Sequence, residues 1–149
     1  MPFVSITRLR LRSAWYLLPF IVHAQRSSKQ MIHHSKFLKG KTLLDKKLTF
    51  WTMSLWNNIS DMRAYTNTSA HKNAMPKLQQ WCDEASVVHW EQTQNELPDW
   101  QTAYQKLITE GRISKVKYPS PTHATMQIPA PRYPSKTERI LVPVKRVSS

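Results

Sequence analysis

The chain has 149 residues, a length that fits one domain and can support a hydrophobic core without covalent staples. Its single cysteine, Cys82, excludes an intramolecular disulfide and a thiolate cluster that would hold a structural metal. The formal net charge is +13, and residues 1–50 contribute +9 of it, because they carry ten Lys and Arg against one acid, Asp45.

A strand and a helix are predicted first along the chain. Residues 3–12 alternate between two faces, which predicts a strand with Arg8 and the next two arginines on one face. We expect that arginine face to be wet or to meet an anionic ligand. Pro19 suits the first turn of a helix, and the apolar spacing that follows predicts a helix over residues 18–33.

The same N-terminal region has some features of a secretion signal, since arginines precede an apolar run at residues 14–22. Against a signal, Pro19 interrupts this run and the predicted strand occupies the residues before it. The run is also shorter than the roughly 20 residues that a membrane span needs. We therefore predict a soluble, cytoplasmic protein with no membrane span.

Two more strands are predicted before the middle of the chain. Residues 37–44 form the first of them, and a short charged segment then turns the chain. Residues 48–56 carry large apolar side chains on both faces, with Trp56 on one face and Trp51 on the other. A strand that is buried on both sides is usually central in its sheet. We expect helices to cover one face and a partner subunit to cover the other, which predicts a homodimer.

The pattern then returns to helix and strand. Ser60 is the expected cap of the next helix, and a second helical stretch covers residues 70–82, where Pro76 predicts a break or kink. Residues 85–92 form a fourth strand. This order of elements is the split βαβ arrangement of an α+β, ferredoxin-like fold, with an antiparallel four-stranded sheet and helices on one face.

The composition changes after these elements. Asp99 is a candidate cap for a short helix over residues 99–110. Six of the ten prolines fall in the last quarter of the chain, which nevertheless keeps large apolar side chains. We expect this quarter to pack on the body or on a partner and to contribute an edge strand at residues 140–142. We divide the chain into an α+β barrel domain, residues 1–112, and a Pro-rich extended tail, residues 113–149.

Several runs of this sequence resemble an uncharacterised bacterial family of the dimeric α+β barrel superfamily. The runs are Phe50–Trp56, Met62–Tyr65, Ala70–Met75 and Val88–Trp90. An aromatic strand, a helix and an Ala-His-x-x-Ala-Met segment in this order are similar to spheroidene monooxygenase, a haem-dependent carotenoid hydroxylase or ketolase. They are more distantly similar to the antibiotic-biosynthesis monooxygenases. The resemblance covers about residues 3–92.

This resemblance implies two ferredoxin-like protomers joined through their sheets, with a pocket in each protomer between sheet and helices. It implies a monooxygenase-like protein that binds or converts a hydrophobic small molecule. It leaves the cofactor open, since haem-dependent and cofactor-free oxygenases both occur on folds of this kind. Fold alone does not decide between these reactions and simple binding.

His71 and Tyr65 are the candidate catalytic residues. His71 lies on the apolar stripe of its helix with Ala74, Met75 and Leu78, so we expect it to point towards the sheet. A histidine in a pocket can act as a general base or as a haem ligand, and Tyr65 would anchor a polar group of the ligand. The simpler alternative is a hydrogen-bonded histidine that packs the helix.

Aromatic and apolar side chains are the candidate walls of the pocket. The residues are Trp51, Trp56, Met75, Trp81 and His23. Such a set suits a flat or polyene-like ligand, but large aromatic residues more often form core. For His23, packing against the first helix's own apolar residues is the simpler alternative.

The sequence lacks the motifs that several other functions require. Only Gly40 and Gly111 are present, which excludes a glycine-rich phosphate loop and a dinucleotide-binding fingerprint. The two acids that follow Cys82 are expected to raise its pKa and weaken it as a nucleophile. The histidines and acids do not have the spacing of a metal site, so no metal ligand is predicted.

The alternative function is a non-catalytic dimeric binding or structural protein with a basic face for an acidic partner. Its sequence support is the charge of +9 in residues 1–50. A solvated basic face is the simplest interpretation of that charge. A specific nucleic-acid role is not predicted, because no aromatic RNA-binding strand pattern or zinc-finger spacing accompanies the charge.

Overall fold

The computed structural model describes residues 1–144, which form four α-helices and six β-strands. The strands are β1 (Phe3–Leu11), β2 (Phe37–Asp45), β3 (Thr49–Trp56), β4 (Cys82–Glu91), β5 (Arg112–Ile113) and β6 (Arg139–Leu141). The helices are α1 (Leu17–Ile32), α2 (Ile59–Thr66), α3 (Ser69–Trp81) and α4 (Trp100–Glu110). Within residues 1–144, none of these helices is both long and apolar enough to cross a membrane.

All six strands join one antiparallel sheet, in the order β5-β4-β1-β3-β2-β6. The four long strands have the order that the split βαβ arrangement gives, which confirms the α+β ferredoxin-like fold. The predicted number of four strands is wrong, because β5 and β6 extend the sheet at its two edges. Both come from the last quarter of the chain, where two or three paired residues leave little periodic signal.

The helices lie on both faces of the sheet, which corrects the prediction that they share one face. One face carries α1, α2 and α3, and its core includes Phe3, Phe20 and Trp56. The other face carries α4, whose Trp100 and Leu107 pack into the same cluster as Trp51. We call these the three-helix face and the α4 face.

The alternation along β1 and β3 explains why both faces need a cover. Val4 and Ile6 of β1 and Met53 of β3 point to the α4 face and are fully buried there. The buried cluster also contains Ile128 from the last quarter of the chain. The chain itself therefore supplies the second cover that we had assigned to a partner subunit, and burial on both sides of β3 is no argument for a dimer.

Three boundaries differ from the predicted ones for local reasons. Helix α2 begins at Ile59 because the Asn58 side chain accepts a hydrogen bond from the Asp61 N–H at 3.0 Å, so Asn58 and not Ser60 is the cap. Helix α3 continues through Pro76 without the predicted break. Strand β4 begins at Cys82, directly after α3, because its first residues pair with the end of β1.

The last quarter of the chain, as far as residue 144, lies along the body. Its backbone N–H groups at Ser114, Lys117 and Ser120 donate to carbonyls of α3 and β4 at 2.8–2.9 Å. The predicted edge strand at residues 140–142 is present as β6, one residue earlier, and it pairs with β2. The rest of the predicted tail, residues 145–149, lies outside the described residues.

Candidate functional site

The two candidate catalytic residues meet on the three-helix face. The Tyr65 ring stacks on the indole of Trp56, with 5.1 Å between ring centroids, and contacts the His71 ring edge-on at 5.5 Å. Helix α2 supplies the tyrosine, the start of α3 supplies the histidine and the end of β3 supplies the tryptophan. We call Trp56, Tyr65 and His71 the aromatic cluster.

Hydrogen bonds hold two members of the aromatic cluster in place. The Tyr65 hydroxyl donates to the Ser27 carbonyl at 3.0 Å, and burial raises the pKa of this phenol well above its usual value. The Trp56 N–H donates to the Ser54 hydroxyl at 2.9 Å. Tyr65 therefore stays protonated across the physiological pH range and acts as a donor, not as a base.

His71 is the member of the cluster with unused hydrogen-bonding capacity. Its Nδ1 is buried and has no hydrogen-bond partner among residues 1–144. Burial lowers the pKa of His71, although a hydrogen bond with the Thr66 backbone acts in the opposite direction. The imidazole is therefore neutral at neutral pH. In the tautomer that carries its proton on Nε2, Nδ1 keeps a free lone pair.

Two of the other predicted pocket residues lie away from the aromatic cluster, and a third is exposed. His23 and Trp81 contact each other at the end of the three-helix face that holds Leu11 and Phe20, with 5.4 Å between ring centroids. Met75 lies one turn after His71 on α3 and is 40% exposed. The five predicted wall residues therefore do not form one pocket.

Trp51 lies on the opposite side of the sheet, on the α4 face. Its indole ring packs edge-on against Trp100 with 6.3 Å between centroids, and the Arg8 guanidinium carbon lies 5.9 Å from its centroid. A sheet separates Trp51 from Tyr65 and His71, so these residues cannot bind one ligand together.

A buried charge network on the α4 face was missed by sequence reasoning. Arg8 Nη1 donates to Glu84 Oε1 at 2.7 Å, and both residues are less than 5% exposed. The hydroxyls of Ser120 and Thr122 donate to Glu84 Oε2 at 2.7 and 3.1 Å. Arg10 lies 3.1 Å from the same oxygen. The anionic group that meets the arginine face of β1 is thus part of the same chain.

The pKa of Glu84 follows from this network. Burial by itself would raise the pKa of the carboxyl group, but the hydrogen bonds from Arg8 and Ser120 and the charges of Arg8 and Arg10 lower it. Glu84 is therefore ionised at neutral pH in spite of its burial. Arg10 also makes two hydrogen bonds to Asp83, each 2.9 Å long. The period of two along β1 and β4 was the available signal for Arg8, Arg10 and Glu84, because it places these three on one face once the strands are paired. Asp83 lies at the register shift between Arg10 and Leu11, which the period does not predict.

No metal site is present in the part of the chain that the structure describes, since its His, Cys, Asp and Glu side chains form no group of three or more that could hold an ion. Burial raises the pKa of the Cys82 thiol to about 12, and Asp83 adds to this effect. Cys82 is therefore protonated at neutral pH and is a poor nucleophile.

Haem does not fit the surroundings of His71. Two surface depressions, of about 480 and 530 Å³, are lined by residues of α1 with its C-terminal cap and by residues of α4, and neither borders His71. The ring of Tyr65 packs against the imidazole, so a porphyrin could reach Nδ1 only by displacing the aromatic cluster.

Comparison with protein families decides the classification. Residues 17–115, more than half of the chain, match the family model DUF3291, a domain of unknown function. The chain belongs to this family. The matched region of the DUF3291 domain runs from the start of α1 to just beyond β5 and so includes the aromatic cluster. No curated protein matches the chain.

Solved structures with the same fold include oxygenases. SnoaB from Streptomyces nogalater, a cofactor-independent oxygenase, matches with a TM-score of 0.54 at 13% identity, over 66% of this chain and 98% of that protein. An antibiotic biosynthesis monooxygenase matches with a TM-score of 0.55 at 10% identity, over 62% and 99%. A conserved protein from Methanosarcina mazei Go1 matches with a TM-score of 0.56 at 7% identity, over 62% and 94%. At these identities the matches show that the fold is monooxygenase-like, and no more.

Proposed function

We propose that this chain is a cofactor-free monooxygenase that binds a hydrophobic, aromatic small molecule at the aromatic cluster, with His71 as its general base. The observation that carries the proposal is the buried, unpartnered Nδ1 of His71 next to the Tyr65 and Trp56 rings. The fold shared with a cofactor-independent oxygenase supports it. We place its activity in the cytoplasm, where Cys82 would remain a free thiol.

The proposed reaction needs only a proton acceptor and an apolar site. His71 takes a proton from an acidic CH₂ group next to an aromatic ring, and the resulting carbanion reacts with O₂. The CH₂ group becomes a carbonyl, one oxygen atom enters the product and the other leaves as water. The substrate must also open the aromatic cluster, with α2 and α3 moving outward from the sheet, so that the rings of Trp56 and Tyr65 hold it. A flat molecule of three rings needs a much smaller opening than a porphyrin. General bases of this kind contribute on the order of 10²–10⁴ in rate.

We expect His71→Ala to lower the rate of O₂ consumption by about 100-fold or more with anthrone as substrate, because the proton acceptor is lost. Anthrone is a flat tricyclic molecule with one acidic CH₂ group. An oxygen electrode would measure the rate, and mass spectrometry would detect anthraquinone. Since burial lowers the pKa of His71, the wild-type rate should hold at neutral pH and fall only as the pH drops below the ordinary value of 6.5.

His33→Ala is the matched control, because His33 is an exposed histidine whose ring bonds to the Lys29 carbonyl at 2.7 Å. Its rate should stay within about twofold of wild type, as expected for a surface substitution. Equal rates for wild type and His71→Ala would contradict the assignment of His71 as the general base. A wild-type rate equal to that of buffer would contradict the proposed oxygenase activity.

A second candidate is a homodimer whose basic face binds an acidic partner. The depression of about 480 Å³ on α1 favours it, because its lining is rich in basic side chains. The residues are Arg26, Lys29, Gln30, His33 and His34. By contrast, Arg8 and Arg10 are paired with acids of β4 and add nothing to such a face.

For this candidate we expect light scattering to give twice the chain mass and a heparin column to retain the protein until salt releases it. The double variant Arg26→Ala, Lys29→Ala should elute at lower salt than wild type. Lys106→Ala removes one positive charge on α4, against two in the double variant, and should elute close to wild type. Elution of wild type without salt, or equal elution of the double variant, would contradict the basic face.

A further inference from the structure

Three buried polar side chains form a row across the α4 face. Arg8 of β1 lies directly opposite Ser86 of β4 on one side and Trp51 of β3 on the other. Residues opposite each other in antiparallel strands point to the same face, with Cβ atoms about 4.5–5.5 Å apart. The three side chains are therefore neighbours, and each is at most 3% exposed. We call Ser86, Arg8 and Trp51 the polar row.

Each member of the polar row has one hydrogen-bonding atom left over. Arg8 Nε, Trp51 Nε1 and Ser86 Oγ are buried and have no hydrogen-bond partner among the described residues. The arginine and tryptophan nitrogens can only donate, so the group that satisfies them must be an acceptor. Leaving a buried donor unsatisfied costs about 1–3 kcal/mol, and three in one row make an acceptor at this place favourable.

The surroundings select an uncharged acceptor. Arg8 is already neutralised by Glu84, and Arg10 by Asp83, so the charges next to the row cancel. A carboxylate or phosphate would place a second buried negative charge beside Glu84. The neighbouring side chains on this face are apolar and aromatic, and they include Ile6, Met53, Val88 and Trp100.

Residues 120–128 form a short segment beside the row, and this segment contains no helix or strand. The hydroxyls of Ser120 and Thr122 bond to Glu84 at its start, and Ile128 packs into the core cluster at its end. Such a segment can open without breaking any strand pair of the sheet. We call residues 120–128 the covering segment.

We propose that the polar row is a binding site for an uncharged carbonyl group on an aromatic molecule, which enters between the α4 face and the covering segment. The carbonyl oxygen accepts hydrogen bonds from Arg8 Nε and Trp51 Nε1, and the Ser86 hydroxyl is the third donor. The aromatic body lies against Trp51 and the apolar residues around it. This site is on the other side of the sheet from His71 and does not depend on the function proposed above.

Photolabelling with benzophenone tests the site, because this probe carries an uncharged carbonyl between two rings and attaches to its neighbours on irradiation. We expect saturable labelling that peptide mapping places in the covering segment or on Met53 of β3. Benzanilide, which has a carbonyl group, should compete. Diphenylmethane, which lacks the carbonyl, and benzoate, which is charged, should compete at least about fivefold less well, the value of one hydrogen bond.

Variants that remove one donor each separate binding at the row from general hydrophobic labelling. Ser86→Ala removes one donor with little change of shape, and Trp51→Phe removes another together with part of a buried ring. Each should raise the half-saturating concentration by about fivefold. Trp81→Phe makes the same side-chain change at the other end of the three-helix face, away from both sites, and should leave the labelling unchanged. Circular dichroism would show that all three variants are folded.

Each other outcome overturns the proposal. Absence of saturable labelling would mean that water alone satisfies the row. Labels on α2 or α3 with none in the covering segment or on Met53 would place the probe at the aromatic cluster alone. Equal labelling of wild type, Trp51→Phe and Ser86→Ala would show that the donors do not bind the carbonyl.

Discussion

Glu84→Ala should destabilise the folded protein by about 3–5 kcal/mol, because it leaves the buried guanidinium of Arg8 without a counter-charge. The substitution also removes the acceptor for the Ser120 and Thr122 hydroxyls, which hold the covering segment. Urea unfolding followed by circular dichroism would measure the change. Compared with the typical total stability of a domain, this loss is large enough to leave a substantial fraction of the protein unfolded.

A matched ion pair on the surface serves as the control. Lys106 and Glu110 lie 2.8 Å apart on α4 and are both substantially exposed, so Glu110→Ala should cost less than about 1 kcal/mol. The double variant Arg8→Met, Glu84→Leu should recover much of the stability lost in Glu84→Ala, since no buried charge is then left unpaired. Equal effects of Glu84→Ala and Glu110→Ala would contradict the buried network.

The same network gives stability a pH dependence of known sign. The pKa of Glu84 is lowered in the folded protein relative to the unfolded chain. A group with a lowered pKa contributes stability above its unfolded pKa, and this contribution is lost as the pH falls through the folded value. Wild type should therefore lose stability in acid, and Glu84→Gln should lose less over the same range.

Trp100→Ala should cost about 3–5 kcal/mol, the usual range for removing a buried tryptophan. Its indole N–H donates to Glu138 Oε2 at 2.6 Å, and its ring contacts Trp51 and lies 5.0 Å from the Lys41 ammonium nitrogen. The loss would loosen α4 from the sheet. Urea unfolding measures the stability. In hydrogen exchange, the substitution should speed up the exchange of α4 amides more than that of α1 amides, each relative to wild type.

Trp15→Ala is the matched control, because Trp15 is 89% exposed in the short 3₁₀ turn before α1. Its stability should stay within about 0.5 kcal/mol of wild type. If Trp100→Ala cost no more than Trp15→Ala, then α4 would not be the cover of this face. A partner subunit would then be the better explanation for the burial of Trp51 and Met53.

The long elements could be predicted from sequence because their patterns are local. The alternation of residues 3–12 and the apolar spacing after Pro19 gave β1 and α1 to within a residue or two. Asp99 was correctly identified as the cap of α4, since its side chain accepts from the Thr102 N–H at 2.7 Å. The cap of α2 was misassigned because Asn58 and Ser60 are both good caps, and only backbone geometry selects between them.

The candidate site was harder to predict than the fold. Tyr65 and His71 are six residues apart, and they meet because α2 ends and α3 begins between them. The predicted pocket walls were chosen by residue type alone, and residue type does not determine on which face of the sheet a side chain lies. Trp51 and Trp56 therefore belong to different surroundings although they share one strand.

The sequence by itself determined the ferredoxin-like order of elements and the two-sided burial of β3, because both follow from the period of the side chains along each element. Only the tertiary structure decided what covers the second face, namely α4 and the covering segment. It also decided that Arg8 meets Glu84, 76 residues away along the chain. Contacts between distant segments depend on strand register and on the path of the connecting chain, and neither is encoded in a local pattern.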